Sequence, residues 1–250
     1  MWRWIKRLSL GALGAAVVLA ASVGLYLYSL DLDSQPPADP RSSVADLAFL
    51  RDAPAPTRGR ILAVVSSAEH FPGSDKPAGF ELTELARAYY TFIANGYAVD
   101  IASPQGGSPP MRVDEEDMVA ADYAFLNDAQ ARAKLAASLP LKNVDASYYS
   151  AVYFVGGKGA MFDFPGDAAI ARIVRQVHDA GGVIGAVCHG PAALLDVTLD
   201  DGTPLLKDRT VTAFTNAEEL FLMKDARQRF DALLQDALVQ RGARFVEGGL

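Results

Sequence analysis

The stretch Gly182-Val-Ile-Gly-Ala-Val-Cys188-His189-Gly190-Pro191-Ala-Ala-Leu194 decides the fold. A short apolar run ends at Cys188, the one cysteine in a chain of 250 residues. His189-Gly190-Pro191 follows, and Ala192 onward reads as the start of a helix. Strand, tight turn and helix in that order make a nucleophile elbow. The turn lifts one side chain to the top of a sheet, and the positive N-terminus of the next helix beneath it favours a thiolate. The alternative is a buried structural cysteine, since a free Cys behaves as a small hydrophobe. The His-Gly-Pro turn between strand and helix argues for the elbow.

Working outward from the elbow, residues 60–66, 97–102, 151–155 and 183–187 read as strands. Residues 82–95, 128–138, 167–180 and 225–240 read as helices. Residues 197–206 read as a small hairpin and 209–213 as a further strand. Strands alternating with helices predict an α/β domain, a flavodoxin-like parallel sheet sandwiched by helices. Functional groups in such folds gather at the carboxyl ends of the strands. Glu84, Gly157, Cys188 and Glu218 all come shortly after predicted strands.

Half of the residues are hydrophobic, enough for a sizeable core. The formal net charge of −7 argues against nucleic acid as a partner. A single cysteine excludes an intrachain disulfide and a cysteine-based zinc site. The three histidines, His70, His178 and His189, show no metal-ligand spacing. No phosphate-binding loop is present. The expectation is therefore no cofactor and no obligatory metal.

The N-terminus opens with the basic, aromatic Met1-Trp-Arg-Trp-Ile-Lys-Arg7, and residues 8–30 follow without a charge. A run of about 20 apolar residues spans a bilayer, so residues 1–33 are expected to be an uncleaved signal anchor, with a cleaved secretion signal as the alternative. Arg3, Lys6 and Arg7 before the run, with Asp31 and Asp33 after it, place the bulk of the chain on the periplasmic side of an inner membrane. Residues 34–57 are Pro-rich and read as a tether, with a short helical turn over 44–50. Residues 58–250 form the expected catalytic domain.

Five segments carry a further likeness, in this order along residues 58–247: Gly79-Phe-Glu-Leu-Thr-Glu84, Gly96-Tyr-Ala-Val-Asp-Ile-Ala-Ser103-Pro104, Gly156-Gly157-Lys158-Gly159-Ala-Met-Phe-Asp163-Phe164-Pro165, Ala186-Val-Cys188-His189-Gly190-Pro191 and Thr212-Ala-Phe-Thr-Asn-Ala-Glu218-Glu219. The chain resembles the ThiJ/PfpI superfamily, of the class I glutamine-amidotransferase-like fold. Within it, the likeness is to the subgroup of heat-shock chaperones and cofactor-independent glyoxalases. The resemblance implies that Cys188 is a nucleophile and that His189 carries its proton. It also implies that Glu84 stands beside the sulfur and that an acid after Phe214 orients the histidine. Glu218 is preferred for that last role over Glu219, and Glu84 is preferred over Glu81, one helical turn away. The amides of Gly157 and His189 read as an oxyanion hole, because glycine lets a backbone N–H approach a ligand closely.

Two features depart from the subgroup. Lys158 stands where the glyoxalase-like members have histidine; it is expected to stabilise the thiolate or attract an anionic substrate. Members also continue after the equivalent of Gly242-Ala-Arg-Phe-Val246 with another strand and a helix. The sequence ends at Leu250, so either it is truncated or the fold ends with an uncovered sheet edge, which would invite dimerisation or instability. The function expected from the resemblance is a membrane-anchored thiol enzyme acting on small reactive carbonyls. A holding chaperone and a redox-sensing protein are the alternatives.

Overall fold

A computed structural model describes residues 17–26 and 38–248. The chain divides into two compact units, Met1–Ala38 and Asp39–Leu250. In the first, residues 17–26 are helical. The membrane-spanning helix expected over 8–30 is not present among the described residues, and the inner-membrane, periplasmic placement read from it is not supported. Among the described residues no helix is long and apolar enough to cross a membrane. At about 1.5 Å per residue, the stretch 17–26 covers only about half of the roughly 30 Å hydrocarbon core. The remainder of that expected span lies outside the described residues.

In the second unit, five parallel strands form one sheet. In chain order they are β1 Arg60–Val64, β2 Ala98–Ser103, β3 Leu139–Pro140, β4 Ala151–Phe154 and β5 Val183–Ala186, and across the sheet they run β3-β2-β1-β4-β5. The register is continuous: Ile61 pairs with Val99 on one side and Ala151 on the other, and Val152 pairs with Ile184. This is the flavodoxin-like arrangement read from the alternating pattern. Along β1 the side chains alternate between the two faces, as a pleated strand requires. Ala63 and the following Val65 join one core cluster, Leu62 and Val64 the other.

Helices cover both faces. Helix α1, Leu82–Ala94, buries Leu82, Leu85, Ala86, Tyr89 and Tyr90, the i, i+3, i+4, i+7, i+8 stripe of an amphipathic helix. It closes at Gly96, which adopts φ +79°, a backbone angle suited to glycine. Helices α2, Ala120–Asn127, and α3, Ala129–Ala136, complete that face. Helix α4, Ala168–Asp179, covers the other with Ile170, Ile173, Val174 and Val177. Asp167 caps it, accepting from the backbone N–H of Ala169 and Ile170.

Two expectations change and one is met in finer form. Residues 39–57 do not behave as a free tether. Leu47 is buried in the α1 core cluster, and Asn127 donates to the carbonyls of Pro40 and Ser42. The turn expected over 44–50 is two short 3-10 turns, Val44–Asp46 and Ala48–Leu50. The long helix expected over 225–240 is broken into Ala226–Arg229 and α6, Leu234–Gln240; between α4 and α6 lies α5, Asn216–Leu222. The break separates two packing duties. Phe230 and Leu233 fill a cluster with Phe71, while Leu234 and Leu238 fill another with Leu206.

Candidate active site

The site lies at the carboxyl ends of β1, β4 and β5, beside the point where the chain order reverses across the sheet, as expected for an open α/β fold. Strand β5 delivers Cys188 through a tight turn closed by a bond from Gly190 N–H to the Val187 carbonyl, 2.6 Å. Cys188 sits at φ 54°. Left-handed backbone at a non-glycine residue costs of order 1–3 kcal/mol and persists only where its surroundings hold it. Those surroundings are visible. The Phe214 N–H donates to the Cys188 carbonyl at 3.1 Å. Gly190 lies so close to β4 that a Cβ there would be 2.3 Å from the Phe154 carbonyl oxygen. The segment after the turn is a five-residue 3-10 helix, Gly190–Leu194, rather than an α-helix. Its dipole is correspondingly slight.

His189 is buried and is engaged through both ring nitrogens. Nδ1 is 3.2 Å from Cys188 Sγ, and Nε2 is 2.5 Å from Glu219 Oε2. A carboxylate on Nε2 fixes the proton there and leaves Nδ1 free to take a proton from sulfur. The imidazole packs against Phe214 and Phe230, with ring centroids 4.7 and 6.2 Å away.

Glu219, not the preferred Glu218, is therefore the acid on the histidine. Glu218 accepts from the N–H and hydroxyl of Thr215, both at 2.8 Å, and closes a capping box at the start of α5. Successive helical residues are rotated by about 100°, so occupying the cap with one turns its neighbour inward. Thr215-Asn-Ala-Glu218 is the Ser/Thr-x-x-Glu signature of a helix start; it was the sequence signal that would have released Glu219 for the histidine. Burial opposes ionisation of Glu219, but the bonds from His189 and Lys158 outweigh it and hold its carboxyl below the usual range. Lys158 Nζ donates to the other oxygen, Oε1, at 3.3 Å.

Glu84, on the first turn of α1, is a second group in contact with Cys188. Its carboxyl accepts from the Gly156 N–H at 2.7 Å and hydrogen-bonds the thiol. Burial pushes its pKa up to about 7, against the lowering effect of those bonds. Tyr153 of β4 donates its hydroxyl to the Glu84 carbonyl at 3.2 Å and ties α1 to the sheet. Glu81 does not reach the sulfur; it faces Arg112 and Lys158, and burial raises its pKa. Gly156 and Gly157 are required by close approach. A Cβ on Gly156 would lie 2.5 Å from Glu84 Oε2, and one on Gly157, at φ +92°, 2.6 Å from the Gly79 carbonyl oxygen.

The amides of Gly157 and His189 converge on Sγ itself. They lower the thiol pKa, yet burial and then the Glu84 charge outweigh them and push it up. Burial and the neighbouring carboxyl oppose a free thiolate, and His189 Nδ1, 3.2 Å away, is the group placed to take the proton. Asp163 and Ser66, which the sequence reading passed over, brace the same loop. Asp163 accepts from the Ser66 hydroxyl at 2.9 Å and the Ser67 N–H at 2.6 Å, and burial raises its pKa to about 6. A Cβ on Gly159 would lie 2.4 Å from the Ser66 hydroxyl. Among the described residues, no group of three or more His, Cys, Asp or Glu side chains is placed to hold a metal ion.

Residues 77–237 match the model of the DJ-1/PfpI family. The chain belongs to that family. Two relatives are Glyoxalase 3 of Candida albicans, 28% identical over 200 residues, and the glutathione-independent glyoxalase HSP31 of Saccharomyces cerevisiae, 28% identical over 197. The alignments cover 75% and 74% of this chain and 82% and 81% of those proteins. Both names are those of enzymes. Among solved structures, the 24 kDa Rapid Encystment Protein of Francisella tularensis superposes with a TM-score of 0.70 at 33% identity, covering 76% of this chain and 84% of that one. Glyoxalase III of Candida albicans gives 0.67 at 25% identity, covering 76% and 83%. The resemblance read from the five sequence segments thus holds at the level of the family.

Proposed function

We propose that the chain is a cofactor-independent glyoxalase that converts a small 2-oxoaldehyde, such as methylglyoxal, to the 2-hydroxy acid. The observation that carries this reading is the relay Cys188–His189–Glu219, with Glu84 hydrogen-bonded to the same sulfur. The names of the relatives support the substrate class.

The chemistry follows from the positions. His189 Nδ1 takes the thiol proton as Sγ adds to the aldehyde carbon, because a thiolate is the competent nucleophile. The carbonyl oxygen takes a proton and a hemithioacetal forms. The N–H groups of Gly157 and His189, already aimed at the sulfur, lie beside the oxygen that gains charge in this step. His189 then removes the C–H proton of the former aldehyde carbon and returns a proton to the neighbouring carbon. The two-carbon unit is rearranged without an external oxidant: one carbon is reduced to the alcohol and the other becomes a thioester. Water cleaves the thioester, releasing the hydroxy acid and the Cys188 thiol. Glutathione is unnecessary because Cys188 supplies the sulfur.

Loss of methylglyoxal, followed without glutathione, tests the reading. The expected result is turnover by the wild type and a fall of at least about a hundredfold in Cys188→Ala, since the covalent route is gone. Equal turnover by the variant, or none by the folded wild type, overturns it.

A further inference from the structure

Lys158 occupies the loop after β4 and is 27% exposed on its side chain. Two of its neighbours hold His189. Its ammonium donates to Glu219 Oε1 at 3.3 Å while Oε2 of the same carboxylate takes His189 Nε2. The same ammonium lies 5.7 Å from the centroid of the Phe214 ring, and that ring packs against the imidazole. Each oxygen of a nearly buried carboxylate thus has its own cationic or N–H partner.

We propose that Lys158 is a positioning residue that acts through Glu219, keeping that carboxylate charged and aimed at His189, rather than a binding group for substrate. The inference rests on the glyoxalase reading only for the rate effect; the geometric part stands without it. A buried carboxylate with a single partner tends to neutralise, because desolvation penalises the charge. Lys158 supplies the second partner. The charged groups facing Glu219 are His189, from the turn after β5, and Lys158, from the loop after β4. Glu218, its neighbour on α5, is turned to Thr215. Glu81 also interacts with the lysine through its charge.

The test compares wild type, Lys158→Met and Lys158→Arg in two measurements. The first is a pH titration of the His189 Nε2 proton by 15N-histidine NMR, in a chain with only three histidines. The second is kcat and KM for methylglyoxal. In Lys158→Met, the bond from Nε2 to a charged carboxylate is expected to be lost at a pH higher by about one unit. With it, kcat falls about tenfold and KM stays within about twofold. Lys158→Arg restores both. An unchanged NMR titration in Lys158→Met overturns the proposal, as does a raised KM at unchanged kcat, which marks a substrate-binding lysine. If the wild type does not turn over methylglyoxal, the function proposed above fails and the NMR titration alone decides the role of Lys158.

Discussion

Two carboxyl groups serve the Cys188–His189 pair, one at the sulfur and one at the imidazole, and their surroundings push them in opposite directions. Glu84 reaches the sulfur from α1 with one backbone N–H and the thiol as partners, and burial raises its pKa to about 7. Glu219 reaches the histidine from α5 with Lys158 and His189 on its two oxygens, and stays below the ordinary range although burial opposes it. What Glu219 has and Glu84 lacks is a pair of cationic or N–H side-chain partners on its two oxygens. Below about pH 7 one acid carries a proton while the other carries a charge. Such a pair divides the labour of a site: the charged group orients and stabilises an imidazolium, and the neutral one sits beside a forming thiolate without repelling it.

Exchanging each acid for its amide breaks the comparison at both ends. Glu219→Gln is the larger break. A neutral amide cannot stabilise the imidazolium, and its NH2 group can select the wrong tautomer of His189, so kcat is expected to fall by about a thousandfold or more. The histidine is then no longer a base at Nδ1, and Cys188 alkylation by iodoacetamide slows in parallel. A variant that keeps its kcat would show that Glu219 only braces the fold.

Glu84→Gln sharpens the contrast from the other side, because glutamine resembles the protonated acid. Activity below neutral pH is expected to stay within about tenfold of wild type. The wild type loses activity as pH rises through about 7, where Glu84 gains a charge beside the sulfur; the amide variant lacks that limb. Stability carries the same signature. The folded pKa of Glu84 is raised, so its contribution is fully present below the unfolded value of about 4.3 and is lost as pH rises through about 7, a change of about 3 kcal/mol. Thermal melts at pH 5 and pH 8 should therefore differ less for Glu84→Gln than for wild type. Equal pH dependence in the two proteins would place the proton elsewhere.

The elbow half of the site was legible because its chemistry is local. An apolar run, one cysteine and His-Gly-Pro specify a strand, a turn and a proton carrier within a dozen residues. The Gly156-Gly157 pair likewise announces a backbone that must approach something. What stayed hidden depends on partners distant in sequence. Helix α2 begins where Asp122 takes the Val119 N–H and the Arg87 guanidinium, and Arg87 lies on α1. The break at Phe230 exists because Phe71 and Phe162 wait for that ring. The short 3-10 segment after Cys188, in place of an α-helix, reflects Gly190 pressed against β4. An apolar run of membrane length at the N-terminus was legible as composition; of that run the structure describes residues 17–26, which are helical.

The choice between Glu218 and Glu219 is the finest version of the same contrast, two identical side chains one residue apart. Removing the Glu218 carboxyl in Glu218→Ala opens half of the capping box with Thr215. Loss of a cap costs about 1 kcal/mol, so a modest drop in melting temperature is expected with kcat within about twofold of wild type. The cap and the relay share α5, so this variant also measures how rigidly the helix must be held. If kcat falls tenfold while the fold survives, Glu219 depends on the helix start for its aim, and the relay reaches back to Thr215. If kcat is unchanged, the two bonds from His189 and Lys158 fix Glu219 without help from the cap, and the charged flank of the site is self-supporting.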